Sequence, residues 1–244
     1  MTEHRHPEDT RITRRGSLVK LGGFVAAAAG AAGWRAASSD PASADASAAA
    51  GPAGVASGAV ACVLAPEMTE GPYYIPGEKV RRDITEGKPG TPLSLRLTVV
   101  DASTCKPVPR AAVDIWHADA GGLYSGEGML QTDGQTFLRG IQRTDPKGVA
   151  TFQTIYPGWY MGRAVHIHVK VHLGGRVVHT GQLFFPDALT DVVYKKAPYS
   201  KRPGPDVLND ADSIYRNGGS KSMLSLRRRG AGYVGVIAMG VQRA

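Results

Sequence analysis

The stretch Leu93-Ser94-Leu95-Arg96-Leu97-Thr98-Val99 alternates an aliphatic residue with a polar one at every position. Successive side chains of a β-strand point to opposite faces, so this stretch predicts a strand with one face in a core and the other in solvent. Further strands are predicted at residues 111–117, 137–144, 149–155, 164–173, 176–185 and 233–241. Seven short strands indicate an all-β protein built as a single β-sandwich.

Turn-forming residues separate these strands. Asp133-Gly134, the segment 145–148 and Gly174-Gly175 each lie between two strand predictions, and the paired glycines favour a two-residue hairpin. The sequence has 31 Gly and 16 Pro in 244 residues, which argues against a helical bundle. The periodicity fades between residues 186 and 229, where we expect long loops with at most a short helix.

The formal net charge of the chain is +8, with 29 Lys and Arg against 21 Asp and Glu. A basic excess can indicate a nucleic-acid partner, but these residues are scattered and no nucleic-acid-binding motif accompanies them. The single basic run, Arg227-Arg228-Arg229, is predicted to be a solvated turn. We therefore expect no nucleic-acid partner.

The first 44 residues have the pattern of an export signal. Arg14-Arg15 precede an apolar stretch rich in Ala and Gly, and the adjacent arginines are typical of the twin-arginine route. The apolar stretch is shorter than the roughly 20 residues of a membrane-spanning helix, so we expect no stable membrane insertion. The predicted organisation is a signal at residues 1–44, a flexible linker at 45–60 and one globular domain at 61–244. The mature protein is expected to be extracellular or in the cell envelope.

Two cysteines, Cys62 and Cys105, are present. Outside the cytoplasm an even number of cysteines favours a disulfide, so we predict a Cys62–Cys105 bridge. Closing a loop of about 44 residues would stabilise the fold by roughly 3–4 kcal/mol in the chain-entropy model. Two unrelated buried thiols are the alternative.

Histidines alternate with aliphatic residues in Val165-His166-Ile167-His168-Val169. On a strand the aliphatic side chains face the core, and the two histidines lie side by side on the other face, about 6.5–7 Å apart at the backbone. That spacing allows both imidazoles to bind one metal ion. Taken alone, the pattern is equally compatible with a solvated polar face.

Two tyrosines lie in loops at the ends of neighbouring strands. Tyr124 follows the strand at 111–117, and Tyr160 precedes His166 by six residues. Loops at strand ends often carry function, although a single loop tyrosine is commonly a packing residue. Phenolate is a hard anionic donor that suits Fe(III), and imidazole binds iron, zinc and copper. The periodicity itself does not bring these tyrosines to the histidines.

Several motifs together resemble the intradiol ring-cleavage dioxygenases: residues 113–125, 137–145, 154–160 and 163–168, with an opening Thr69-Glu70-Gly71-Pro72-Tyr73-Tyr74. The resemblance covers roughly residues 62–241, with the motifs in the same order and spacing. It implies a β-sandwich that holds one non-haem Fe(III) per chain. The implied iron ligands are Tyr124, Tyr160, His166 and His168, and the residues implied over the substrate are Arg163 and Gln182.

The resemblance also implies a reaction. Both atoms of O2 would be inserted into a catechol-type aromatic, with cleavage between the two hydroxyl-bearing carbons to give a cis,cis-muconate. The partners would be a small aromatic diol and O2, with Tyr160, Arg163 and Gln182 as catalytic residues. The short link from Tyr160 to His166, and the lack of the helical N-terminal domain of the catechol-cleaving branch, make the chain more similar to the protocatechuate 3,4-dioxygenase-like, exported bacterial branch.

A function from another class is an exported β-sandwich module that binds carbohydrate or cell wall, with a structural metal or none. It would account for Trp159 and the loop tyrosines, but not for an ordered set of two tyrosines and two histidines. Among the remaining candidates, His117 is interpreted as structural and His172 as solvated. Tyr73 and Tyr74 either line the substrate mouth or pack.

Overall fold

The computed structural model describes residues 63–243, which form two four-stranded sheets packed as a sandwich. The predicted signal and linker, and Cys62, lie outside the described residues. The first sheet has the order β4-β1-β8-β7 and the second β3-β2-β5-β6. The strands are β1 (Pro92–Asp101), β2 (Ala112–Trp116), β3 (Arg139–Arg143), β4 (Val149–Ile155), β5 (His166–Leu173), β6 (Arg176–Phe184), β7 (Ser225–Arg229) and β8 (Gly232–Val241).

The core lies between the sheets and is built from the predicted alternating residues. Every aliphatic residue of the quoted β1 stretch is buried, as are the aliphatic residues of β2 and β5 that face it. Burying one such side chain contributes about 1.5–3 kcal/mol. The members that the sequence pattern predicts are Leu93, Leu95, Leu97, Val99, Val113, Ile115, Val165, Ile167, Val169 and Val171.

The second sheet presents a polar outer face, and the strand register sets which residues are neighbours there. His168 of β5 lies opposite Trp116 of β2 on one side and Gln182 of β6 on the other. Lys170 lies opposite Asp114. The β5–β6 hairpin turns at Gly174 and Gly175, whose φ values of 59° and 83° fit the predicted two-residue turn.

Residues 68–81 cross this outer face from one edge of the sheet to the other. The amide of Met68 donates to the carbonyl of Thr180 on β6 at 2.9 Å, and the amide of Arg81 donates to the carbonyl of Ile141 on β3 at 3.0 Å. β6 and β3 are the two edge strands of the second sheet. The face that carries the histidines is therefore covered rather than solvated.

The C-terminal part is more regular than its sequence predicts. Residues 186–229 contain helix α1 (Asp187–Tyr194), the short helix α2 (Ser213–Arg216) and β7. The three arginines Arg227–Arg229 lie on β7 and not in a turn. β7 is an edge strand, and exposed charges there protect the open edge from pairing with another chain. Short 3-10 turns lie at Gly128–Leu130, Tyr199–Lys201, Asn209–Ala211 and Gly219–Ser222.

Two further predictions concern the disulfide bridge and membrane insertion. Cys105 is disulfide-bonded, but its predicted partner Cys62 lies outside the described residues, so the pairing stays a prediction. Within residues 63–243 no helix is long and apolar enough to cross a membrane.

Candidate metal centre

His166 and His168 converge on the covered face of the second sheet. Their Nε2 atoms are 3.0 Å apart, and both rings are buried, with 3% and 0% exposure. The covering segment passes so close that it needs a glycine at residue 71. A Cβ at Gly71, whose φ is +76°, would lie 2.9 Å from Cε1 of His168.

The backbone fixes which nitrogen of His166 carries a proton. Its Nδ1 is 2.7 Å from the carbonyl oxygen of Ala164, which can only accept, so Nδ1 donates and Nε2 keeps its lone pair. Burial lowers the pKa of His166 to about 3 and that of His168 well below its ordinary value. Both rings are therefore neutral, which is the form that binds a metal ion.

The two loop tyrosines reach the same place. The hydroxyl of Tyr160 is 3.2 Å from Nε2 of His166. The ring centroid of Tyr124 is 5.4 Å from that of Tyr160 and 6.1 Å from that of His168. The folded chain thus gathers the four side chains, including the pair of tyrosines that the sequence periodicity could not place.

The Tyr124 hydroxyl and Nδ1 of His168 are the two polar atoms of the cluster that the described residues leave unpaired. Tyr124 is 1% exposed, and its hydroxyl has no hydrogen-bond partner within the described part of the chain. Leaving such a group buried and unpaired costs about 1–3 kcal/mol. Burial raises the pKa of both Tyr124 and Tyr160, so neither phenol ionises at neutral pH unless a cation favours the phenolate.

These donors fit one metal ion. No group of three or more His, Cys, Asp or Glu side chains within residues 63–243 is arranged to hold a metal, so a metal here would need the phenol oxygens. Two nitrogens 3.0 Å apart are spaced as donors at right angles on one cation with bonds of about 2.1 Å. The unpaired Tyr124 hydroxyl would then gain a partner.

Arg163 and Gln182 form a polar pair beside the four donors. Nη1 of Arg163 donates to the Tyr160 hydroxyl at 3.3 Å and lies 3.5 Å from Nε2 of His166. Nη2 of Arg163 donates to Oε1 of Gln182, whose Nε2 donates to the carbonyl of Thr69 at 3.0 Å. A permanent positive charge therefore faces the cluster.

Aromatic rings enclose the cluster. Tyr73 stacks on Tyr124 with centroids 4.3 Å apart, and Trp116 stacks on His168 with centroids 4.9 Å apart. Tyr74 packs on Trp116 at 4.9 Å. Tyr73 and Tyr74 thus pack against the cluster while each stays partly exposed.

The other histidines of residues 63–243 lie outside this cluster. Nε2 of His117 is 2.7 Å from the hydroxyl of Thr154, and the ring is fully buried, as a structural histidine would be. His172 is half-buried on β5. Nδ1 of His179 is 2.7 Å from a carboxylate oxygen of Glu67.

Known proteins are similar to this chain in sequence and in fold. Residues 69–179 match the family model Dioxygenase_C, described as dioxygenase. An intradiol ring-cleavage dioxygenase from Tetranychus urticae is 36% identical, with 74% of this chain and 95% of that chain covered and a TM-score of 0.70. The chain belongs to the intradiol ring-cleavage dioxygenase family.

Two other relatives extend the comparison. The dioxygenase domain of a dioxygenase carbohydrate-binding protein fusion from Streptomyces sp. SirexAA-E is 31% identical, with 75% of this chain and 100% of that chain covered and a TM-score of 0.59. Catechol 1,2-dioxygenase 1 from Acinetobacter lwoffii is 33% identical over 100 residues, which are 39% of this chain and 32% of that protein. The chain thus matches about a third of the length of this curated intradiol dioxygenase.

Two residues of this chain carry no sequence pattern that would reveal their place at the site. Asp212 accepts a hydrogen bond from Nε of Arg163 at 2.8 Å, across 49 positions of sequence. An aspartate before a short helix is a recognisable N-cap, but that signal does not name its arginine partner. Gly71 is the second such residue, because its contact with His168 exists only in the folded chain.

Proposed function

We propose that this protein is a non-haem Fe(III) intradiol dioxygenase that inserts both atoms of O2 into a catechol-type aromatic. Cleavage would fall between the two hydroxyl-bearing carbons and yield a cis,cis-muconate. The observation that carries the proposal is the convergence of Tyr124, Tyr160, His166 and His168 in a chain of this family. A carbohydrate-binding module has no use for such a donor set.

The four side chains would hold one Fe(III). Two phenolates and two neutral imidazoles suit a ferric ion, because hard anionic oxygen donors favour the trivalent state. The bound ferric ion would draw electron density from a chelated catecholate and so make the ring reactive toward O2. The carbonyl oxygen of Ala164 accepts a hydrogen bond from Nδ1 of His166, and this bond keeps the imidazole oriented for metal binding.

The two tyrosines would play different parts. Tyr124 is buried between Tyr73 and the rest of the cluster, which favours a permanent ligand. Tyr160 is half-buried in a loop next to Gly162, an exposed residue with no atom within 4 Å of the position of a Cβ. Tyr160 is therefore our choice for the exchangeable ligand, and its phenolate oxygen would take a proton from a substrate hydroxyl and become the neutral phenol.

Arg163 would act on the substrate, with Gln182 holding the arginine in place. The guanidinium would stabilise the negative charge that develops on the substrate oxygens, an electrostatic role in a site that residues 68–81 cover. Removing one such donor typically slows turnover by about 10²–10³-fold. Gln182 would hold one edge of the guanidinium in place through its side-chain carbonyl.

The experiment is an oxygen-uptake assay on the purified protein with catechol, protocatechuate, hydroxyquinol and caffeate, with product masses. We expect bound iron, a red-brown ferric-tyrosinate colour and products that have gained two oxygen atoms. His166→Ala and His168→Ala should lose most of the iron. Tyr160→Phe should keep the iron but shift the visible band and slow turnover.

The matched control is Tyr156→Phe. Tyr156 is also buried, but its hydroxyl pairs with that of Thr190 at 2.7 Å and takes no part in the cluster. Its loss should leave the visible band in place. Unchanged colour in both Tyr124→Phe and Tyr160→Phe, or a protein that binds no iron, would refute the proposed function.

A further inference from the structure

Asp212 joins the C-terminal segment to the loop beside the metal centre. Its carboxylate is fully buried, with 0% side-chain exposure. Oδ2 accepts from Nε of Arg163 at 2.8 Å and from the amide of Ala164 at 2.9 Å. Oδ1 accepts from the amides of Ile214 and Tyr215 at 2.8 and 3.1 Å, in the first turn of α2.

These contacts make the carboxylate a rigid anchor. Three of its four partners are backbone amides, so the group has a fixed position and orientation before it meets an arginine. Burial by itself would raise the pKa of Asp212, but the Ala164 amide and the Arg163 charge outweigh burial and hold that pKa below its ordinary value. The carboxylate is therefore ionised at neutral pH.

The Asp212 carboxylate orients the planar guanidinium of Arg163. Because a guanidinium is rigid, fixing the direction of Nε also fixes both Nη atoms. In Arg163 these atoms point to the Tyr160 hydroxyl and to the side-chain carbonyl of Gln182. Gln182 in turn donates to the carbonyl of Thr69. The guanidinium is therefore fixed at Nε by Asp212 and at Nη2 by Gln182, while Nη1 faces the cluster.

We propose that Asp212 is a positioning residue for Arg163, which it orients toward Tyr160 and the substrate. This inference rests on the proposed function. Arg163 is half-buried, so without its acceptor the guanidinium can turn toward water and lose the orientation that catalysis needs. In this role Asp212 acts on turnover through Arg163. A loss that acted through the Ala164 amide would instead reach His166 and show in the iron content.

The test is a double-mutant cycle on the iron-loaded protein. Asp212→Asn and Asp212→Ser each keep an oxygen for the amides of α2 but remove the carboxylate oxygen that accepts from Nε of Arg163 and from the amide of Ala164. Each should lower kcat by tenfold or more with less than a threefold change in KM, while iron content and the visible band persist. In an Arg163→Ala background the same substitutions should change kcat by less than twofold.

Asp145→Asn is the matched control. Asp145 accepts from the amides of Lys147 and Val149, both at 2.8 Å, in the β3–β4 turn away from Arg163. Its loss should leave kcat within twofold of wild type. An equal loss of kcat from Asp212→Asn in both backgrounds, or no loss in either, overturns the proposal.

A second readout separates this inference from the proposed function. In metal-free protein the Nε–H of Arg163 should exchange slowly with solvent by NMR, and at least tenfold faster in Asp212→Ser. A wild type without dioxygenase activity would refute the proposed function and leave this measurement valid, whereas unaltered exchange overturns the positioning role. If neither variant folds, wild-type kcat in Arg163→Lys overturns it, because lysine keeps the charge without the oriented fork.

Discussion

At the scale of single residues, Asp114 shows how burial changes a carboxyl group. It lies on β2 with 0% exposure, and neither oxygen makes a hydrogen bond of ordinary geometry. Burial, and then the nearby charge of Glu78, raise its pKa to about 7, although the Tyr74 hydroxyl and the Arg139 charge act in the opposite direction. Lys170 lies opposite in the register but pairs with Glu70.

The raised pKa of Asp114 predicts a pH-dependent stability. Below about pH 3 the group is protonated in both the folded and the unfolded chain. As pH rises to about 7 the unfolded chain ionises first, so stability falls, and above pH 7 the full cost of about 4 kcal/mol applies. Asp114→Asn should therefore stabilise the protein by about 2–3 kcal/mol more at pH 8 than at pH 5, in urea unfolding.

The exposed Asp145 serves as the control for this prediction. Asp145→Asn removes a carboxylate of the same size from a turn where water still solvates it. Its effect on the free energy of unfolding should differ little between the two pH values. An Asp114→Asn effect that is the same at pH 5 and pH 8 would show that Asp114 ionises normally.

Residue patterns predicted part of this site and not the rest. His166 and His168 could be assigned to one face because alternation on a strand is fixed by backbone geometry. Whether that face is solvated depends on residues 68–81, whose path over the sheet has no periodic signal. The contact between Asp212 and Arg163 likewise depends on chain folding over a long sequence separation.

At the scale of elements, the loops that carry the two tyrosines touch backbone to backbone. A Cβ at Gly158 would lie 2.1 Å from the carbonyl oxygen of Asp119, and a Cβ at Gly122 would lie 2.3 Å from that of Trp159. Arg202 spans the contact, since it donates to the carbonyls of Gly121 and Trp159. The distance between Tyr124 and Tyr160 is thus set by glycine.

Gly158→Ala should push these two loops apart. We expect a loss of about 1–3 kcal/mol of stability, as for other overpacked positions, and a weaker visible band from the iron-loaded protein. Gly204→Ala is the matched control, because Gly204 lies in an exposed loop with no atom within 4 Å of its Cβ position. Equal stability and equal band intensity in the two variants would mean that the loops tolerate separation.

Elements with a strong alternating pattern were predicted well. Residues 149–155 match β4 at both ends, and the other predicted strands differ from the observed ones by one or two residues at an end. β7 was missed because three consecutive arginines hide the period of two on an edge strand with little burial. α1 was predicted only as a possible short helix, since eight residues give about two turns of pattern.

At the scale of the whole molecule, the site exists only in the folded chain. Its four donors come from two loops and a strand. Residues 68–81, from the beginning of the described chain, cover them. A cofactor held in this way would be bound before the protein leaves the compartment where it folds. The twin-arginine route carries folded proteins, but the predicted signal at residues 1–44 lies outside the described residues, so export by this route stays a prediction.

We predict that export depends on Arg14-Arg15 and not on the metal centre. Replacing both arginines with lysine keeps the positive charge but removes the pair that the route recognises, so we expect full-length precursor to remain in the cytoplasm. Immunoblots of cytoplasmic and external fractions would measure this, with Arg5→Lys as the control, which changes a leader arginine outside the pair and should export normally. The retained precursor should still bind iron and absorb visible light, because residues 63–243 alone build the donor set. Mature protein outside the cytoplasm at the wild-type level would contradict the twin-arginine prediction, whatever the iron content.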